Sequence, residues 1–281
     1  GNPYFVLQFV DLLDKKGLLP QVPASGRWQC DLNRIKLETE VSENVVDILA
    51  KRVETLPGSV QGVLKLASCL GYRFKIEILT TIVERELADE QGVPGHSPES
   101  AKTSKTSVSS GYSLGSIGAS NSSSSFSSTL YRTRIMNALE VALDEGLIDK
   151  VNENVYEFSH DRVQQCLHSM VGANQFEKEV MHLRVGKILW DKMKSDRVFS
   201  ESTLVLAVDN LNRGSSHVHF RQERYELAEL NLEAAHQAAR KHAFHSAIEY
   251  CRSGIAMLPE SSWEKRYDLC LDLYSAAAQL E

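Results

Sequence analysis

Two short constellations in the sequence have residue types suited to contact a nucleotide. Gly1-Asn2-Pro3 can lay a rigid pyrrolidine ring, which lacks an amide hydrogen, flat against an adenine, or it can simply form a turn. His160-Asp161 follows a strand-like run and opens a helix. Free amides and the helix dipole favour anions there, so His160 could hydrogen-bond a phosphate, with Asp161 orienting it or capping the helix. A His-Asp pair at a helix start also serves as an ordinary cap. Other chemistry is missing. There is no GxxxxGK[ST] phosphate loop, no Rossmann glycine fingerprint, and neither HExxH nor GxSxG. His217/His219 and His242/His245 could be imagined as metal ligands, but no closed ligand set accompanies them, so no catalytic residue and no metal site is expected.

Composition narrows the function classes further. The 281 residues carry 31 basic and 37 acidic side chains, a formal charge of −6. That balance suits a soluble globular protein and argues against bulk nucleic-acid binding, which calls for a basic domain. No apolar run approaches the roughly 18–20 residues of a membrane span. Five scattered cysteines without a CxxC pair fit free thiols in a reducing compartment, the cytoplasm, rather than a disulfide framework.

The elements that must position these residues are mostly helical. Residues 4–16 form an apolar stripe (Phe5, Val6, Phe9, Val10, Leu12, Leu13) closed by Gly17. Further helices are expected from 43 or 44 to 56 with Ser42 as cap, then over 59–69 and about 75–87. From 92 to about 129 serine dominates, with Gly, Thr, Lys and two Pro; such a segment cannot bury enough apolar surface to order itself and reads as a disordered loop insertion. Phosphorylation of it is a lesser reading. A helix over 130–145 follows, ended by Gly146. Residues 147–151 and 155–158 then flank an Asn-rich turn as a β-hairpin, and a helix begins near Asp161 with Ser159 or Asp161 as cap.

Three helices and a hairpin describe a winged-helix domain, with the serine insert before its third helix. A DNA-binding reading would place 130–145 in the major groove with Arg132 and Arg134 leading. Asp149, Glu153 and Glu157 on the hairpin oppose it. Beyond 174 the chain reads as helices over 176–194, about 201–213, 221–241 and 243–259, with 263–280 beginning the next repeat. Ala243, Ala247, Tyr250, Gly254, Leu258 and Pro259 follow the rhythm of a tetratricopeptide-like second helix. The fold class expected is mainly α: a helical lid (1–56), a winged helix with a disordered insert at 92–129 (57–172), and tetratricopeptide-like repeats, incomplete at the C-terminus (173–281).

As an ordered set, GNPYFVLQFVDLLDKKGLL, GRWQCDLNRI, YEFSHDRVQQCLHSM, HLRVGKILW, DNLNRG and ERYELAELNLEAAHQAA resemble the signalling ATPases of the STAND class. They are similar in particular to the AAA-type ATPase region of hybrid sensor histidine kinases and of fused serine/threonine kinases. The resemblance implies a P-loop ATPase domain N-terminal to Gly1 in the same polypeptide. It implies ATP or ADP held mostly by that domain, with Pro3 packing on adenine. Phe158-Ser159-His160-Asp161 resembles the Met-His-Asp motif of related NLR proteins, with Ser159 where Met would stand. By that resemblance His160 reaches the β-phosphate of ADP and locks a closed state. The function expected is a non-catalytic nucleotide switch feeding a kinase output, with protein partners on the repeats, no nucleic acid and no membrane contact. The alternatives are a helical-repeat scaffold without nucleotide sensing and a winged-helix DNA-binding regulator.

Overall fold

The computed structural model describes residues 3–20, 28, 30–38, 45–90 and 124–280. Ser42 and residues 92–123 of the serine-rich insert lie outside the described residues, as do Gly1 and Asn2. The chain divides into two compact units, Gly1–Thr55 and Leu56–Glu281. Among the described residues it is mainly helical, with one small antiparallel sheet.

In the first unit, α1 (Pro3–Lys15) begins on proline, whose missing amide has no helical partner at that position. Gly17, at φ +65°, ends it: the Leu18 amide returns to the Leu13 carbonyl, a closure that needs the left-handed residue between. Leu13, Leu18 and Ile35 form the buried cluster, with Phe9 and Leu19 packed on it. Ile35 comes from α2 (Leu32–Glu38), a helix not expected from sequence. Asp31 starts it by accepting the Asn33 and Arg34 amides at 3.0 and 3.2 Å. α3 (Val45–Glu54) is the helix expected before Pro57.

The second unit opens with α4 (Gly58–Cys69) and α5 (Ile76–Glu90), joined by β1 (Arg73–Lys75). α6 runs Ser124–Asp144, so it begins within the serine-rich stretch. β2 (Ile148–Asn152) and β3 (Val155–Phe158) make the expected hairpin. Its turn is fixed by the Asn154 amide donating to Asn152 Oδ1 at 2.9 Å. β1 adds antiparallel to β3, giving the order β1-β3-β2, with Phe74 opposite Tyr156. A three-residue strand shows no readable alternation, which is why it escaped sequence analysis. Its Phe74 stacks on Tyr156 and tilts against Phe158, all three buried beneath the hairpin.

After α7 (Asp161–Ser169) come α8 (Gln175–Ser195), α9 (Arg197–Arg213) and α10 (Arg221–Arg240). α11 (Phe244–Met257), α12 (Ser262–Lys265) and α13 (Tyr267–Leu280) complete the chain. Neighbours in this series pack on one another, α8 with α9, α10 with α11, and α13 on α10 and α11. α12 and α13 are separated at Arg266, where φ −140° and ψ 52° leave the helical region. That break sets the Arg266 guanidinium over the Tyr225 ring, 5.4 Å from its centre, and beside Glu229. No described helix is long and apolar enough to cross a membrane.

Candidate functional site

His160 stands where β3 hands over to α7. Phe158 is fully buried under the hairpin, and Ser159 is held there twice: its amide and its hydroxyl both donate to the Leu147 carbonyl, at 3.1 and 3.2 Å. With Ser159 so engaged and Asp161 already the first helical residue, neither is the cap that the sequence suggested. The cap is His160 itself. Its backbone is extended (φ −154°, ψ 150°) and its Nδ1 accepts the Arg162 amide at 3.1 Å.

This arrangement decides what the imidazole can do. A neutral ring that accepts at Nδ1 carries its proton on Nε2. A charged ring places Nδ1–H against the adjoining Asp161 carboxylate. In either form Nε2 bears hydrogen and can donate to an anion. The side chain is 26% exposed, at a helix terminus whose dipole favours negative charge. α7 is fixed behind it by Gln164, which donates to the Ser68 carbonyl of α4 at 2.9 Å. Pro3 is exposed at the start of α1, in the first unit, whereas His160 belongs to the second.

The hairpin offers no basic surface. Arg73 pairs with Glu157 at 2.5 Å and Lys150 with Glu153 at 3.0 Å, so these two cations are matched by carboxylates of the same sheet. Of the imagined metal ligands, His217 Nε2 lies 3.1 Å from Glu179, and His219, His242 and His245 are exposed. Among the described residues there is no group of three or more His, Cys, Asp or Glu side chains able to hold a metal ion.

A polar chain through the interior was missed by sequence reasoning. His168 on α7 and His182 on α8 meet Nε2 to Nε2 at 2.8 Å. His182 Nδ1 meets Asn210 Oδ1 at 2.8 Å, and Asn210 Nδ2 donates to the carbonyls of Leu206 (2.9 Å) and Cys69 (3.3 Å). Because Nδ2 faces two carbonyls, Oδ1 must accept from His182 Nδ1–H. His182 Nε2 is then the acceptor for His168 Nε2–H. The rest of the DNLNRG run is used similarly. Tyr250 donates to Asp209 at 2.7 Å, and Asn212 exchanges reciprocal amide bonds with buried Asn231 at 2.8 and 2.9 Å. One helix, α9, thereby reaches α4, α8, α10 and α11 through polar contacts. The available signal was Asn210 itself, a polar residue in the apolar stripe of Leu204, Ala207, Val208 and Leu211.

Burial, with His182, Arg213 and Lys178 adding to it, pushes the His168 imidazole down to about 4. Burial also lowers His182, against the Asn210 hydrogen bond that favours its charged form. Both rings are therefore neutral at pH 7. Below the ordinary value near 6.5 the unfolded chain binds protons that the folded chain refuses, so stability falls as pH drops from about 6.5 to about 4. The expected loss is on the order of 1–2 kcal/mol after allowance for solvent screening. Urea midpoints at pH 7.5, 6, 5 and 4 check it: His168→Gln should flatten that slope relative to wild type, and an unchanged slope would refute the assignment.

The chain is similar to hybrid signal transduction histidine kinase G of Dictyostelium discoideum, with 22% identity over 305 residues covering 100% of this chain and 8% of that protein. The chain thus spans about one-twelfth of the curated relative it matches. No family model matches, and no solved structure matches.

Proposed function

We propose that this chain is a non-catalytic regulatory region of a STAND/AAA-type signalling ATPase. Its role is to couple the ATP or ADP state of a P-loop domain in the same polypeptide to a histidine or serine/threonine kinase output, in the cytoplasm. In this reading α4, α5, α6 and the hairpin form a winged helix, and α8–α13 form tetratricopeptide-like hairpins. Similarity across the whole chain to a hybrid signal transduction histidine kinase supports a signalling role. The observation that carries the nucleotide reading is the place of His160, extended at the N-terminus of α7 where the helix dipole favours anions, with Nδ1 accepting the Arg162 amide.

The mechanism is a difference in contact between two states. ADP held by Pro3 and His160 favours a closed form; exchange for ATP withdraws the His160 contact. Only a ligand with unequal affinity for two conformations shifts their populations. One charge-assisted hydrogen bond is worth about 1.5–3 kcal/mol, or roughly 10–100-fold in ADP release. The test uses a longer polypeptide carrying the P-loop domain, purified without added nucleotide and denatured for chromatography. Wild type is expected to release stoichiometric ADP, and His160→Ala and Pro3→Ala to have lost it. Equal ADP in all three would leave a helical scaffold that does not read nucleotide.

A further inference from the structure

Three basic side chains from three helices converge where α7 turns into α8. The His168 ring of α7 meets His182 of α8, which in turn meets Asn210 of α9. Lys178 lies one turn before His182 on the same face of α8, and Arg213 one turn after Asn210 on α9. Leu211 adjoins Gly186 and Gly214 adjoins Glu179, so α8 and α9 run antiparallel and both steps lead to the same end of the pair. The elements are tightly joined there: a Cβ on Gly214 would stand 2.6 Å from the Glu179 carbonyl oxygen, and one on Gly172, in the α7–α8 turn, 3.0 Å from the Lys178 nitrogen.

Lys178 is half-buried and Arg213 exposed, and neither takes part in an ion pair among the described residues. Burial, His182, Arg213 and Lys178 all oppose a charge on the His168 ring, and no carboxylate counters them. The two carboxylates that flank Lys178 in sequence are engaged elsewhere. Glu177 accepts the Ala173 amide at 2.9 Å, and Glu179 accepts from Ser216 at 2.6 Å and stands beside His217. We infer that Lys178 and Arg213, with the His168 ring between their helices, form a binding site for a phosphoryl dianion. The guanidinium fork fits two oxygens of one phosphoryl group, the ammonium takes another, and two fixed positive charges match its two negative ones. A metal cation is the wrong ligand for this pair of histidines, because Arg213 and Lys178 repel it and His182 Nε2 already accepts from His168. The site lies at the far end of α7 from His160, roughly 12 Å along the helix, so the inference stands apart from the nucleotide reading.

Two cations in partial contact with water give an expected dissociation constant of about 1 mM. The probes are inorganic phosphate, sulfate and glycerol 2-phosphate, added to the 281-residue chain at pH 7.5, with sodium chloride at matched ionic strength as the control. Binding is read by NMR from the His168 ring and from the amides of Lys178 and Arg213. All three oxyanions should move these signals saturably, and chloride should not. Arg213→Gln or Lys178→Gln should each weaken binding about tenfold without lowering Tm, whereas Lys241→Gln, at the C-terminal end of α10, should leave it as it is. Tighter binding of glycerol 2-phosphate than of phosphate would identify a phosphate monoester as the ligand, and the reverse order the free ion. Shifts that chloride reproduces, or that saturate at the same concentration in both glutamine variants as in wild type, overturn the proposal.

Discussion

Asn210→Ala is expected to lower the unfolding free energy of the Leu56–Glu281 unit by about 3 kcal/mol, and its Tm by about 10 °C. Asn210 is 1% exposed and serves as acceptor for His182 and donor to the Leu206 and Cys69 carbonyls. Truncation strips the His182 Nδ1–H and the Cys69 carbonyl of this partner where water cannot replace it, each stranded buried group costing about 1–3 kcal/mol, while the Leu206 carbonyl keeps its intrahelical amide. The effect should not stop at α9. His182 loses the acceptor that places its proton on Nδ1, so its Nε2 no longer reliably accepts from His168, and the α7–α8 contact weakens too. A double-mutant cycle with His182→Phe isolates that coupling: the pair should lose less than the sum of the single changes by about 1 kcal/mol or more. A loss below about 0.5 kcal/mol for Asn210→Ala alone would mean the chain does not hold the unit together.

Gly186→Ala is expected to be destabilising by about 1–3 kcal/mol, although alanine is the better helix former by about 1 kcal/mol. A Cβ at this position of α8 would stand 2.7 Å from Leu211 Cγ and 2.8 Å from the Leu211 backbone nitrogen. Rotating the leucine side chain relieves the first contact and leaves the second, because that nitrogen belongs to the α9 backbone. The two helices must therefore separate, and the buried contacts of Val185, Leu189 and Val208 go with them. Thermal melts of Gly186→Ala and Gly186→Val should show a graded fall. A neutral or stabilising alanine would show that α8 and α9 are free to part. Adding Leu211→Ala should recover only part of the loss.

The residues themselves determined the local structure. Periodicity and glycine punctuation placed α1, α4, α5, α8, α10 and α11 near their observed ends, because one apolar face and a left-handed stop are local properties of the chain. The hairpin was legible in Val155–Phe158 and its Asn-rich turn. The choice of His160 as a candidate also came from sequence, since a helix start after a strand is a local pattern.

Tertiary structure decided how those pieces are used. Only it showed that His160, rather than Ser159 or Asp161, caps α7, because the Leu147 carbonyl that captures Ser159 comes from the far side of the hairpin. β1 exists because β3, more than eighty residues later, offers it an edge: Arg73 lies opposite Glu157. The break at Arg266 is accompanied by contacts to Tyr225 and Glu229 on another helix. The polar chain from His168 through His182 to Asn210 and Cys69 joins three successive helices, α7, α8 and α9, to α4 far earlier in the sequence. A residue's type announces what it can donate or accept. Which partner stands within 3 Å of it is set by how helices cross, and no single stretch of sequence contains that information.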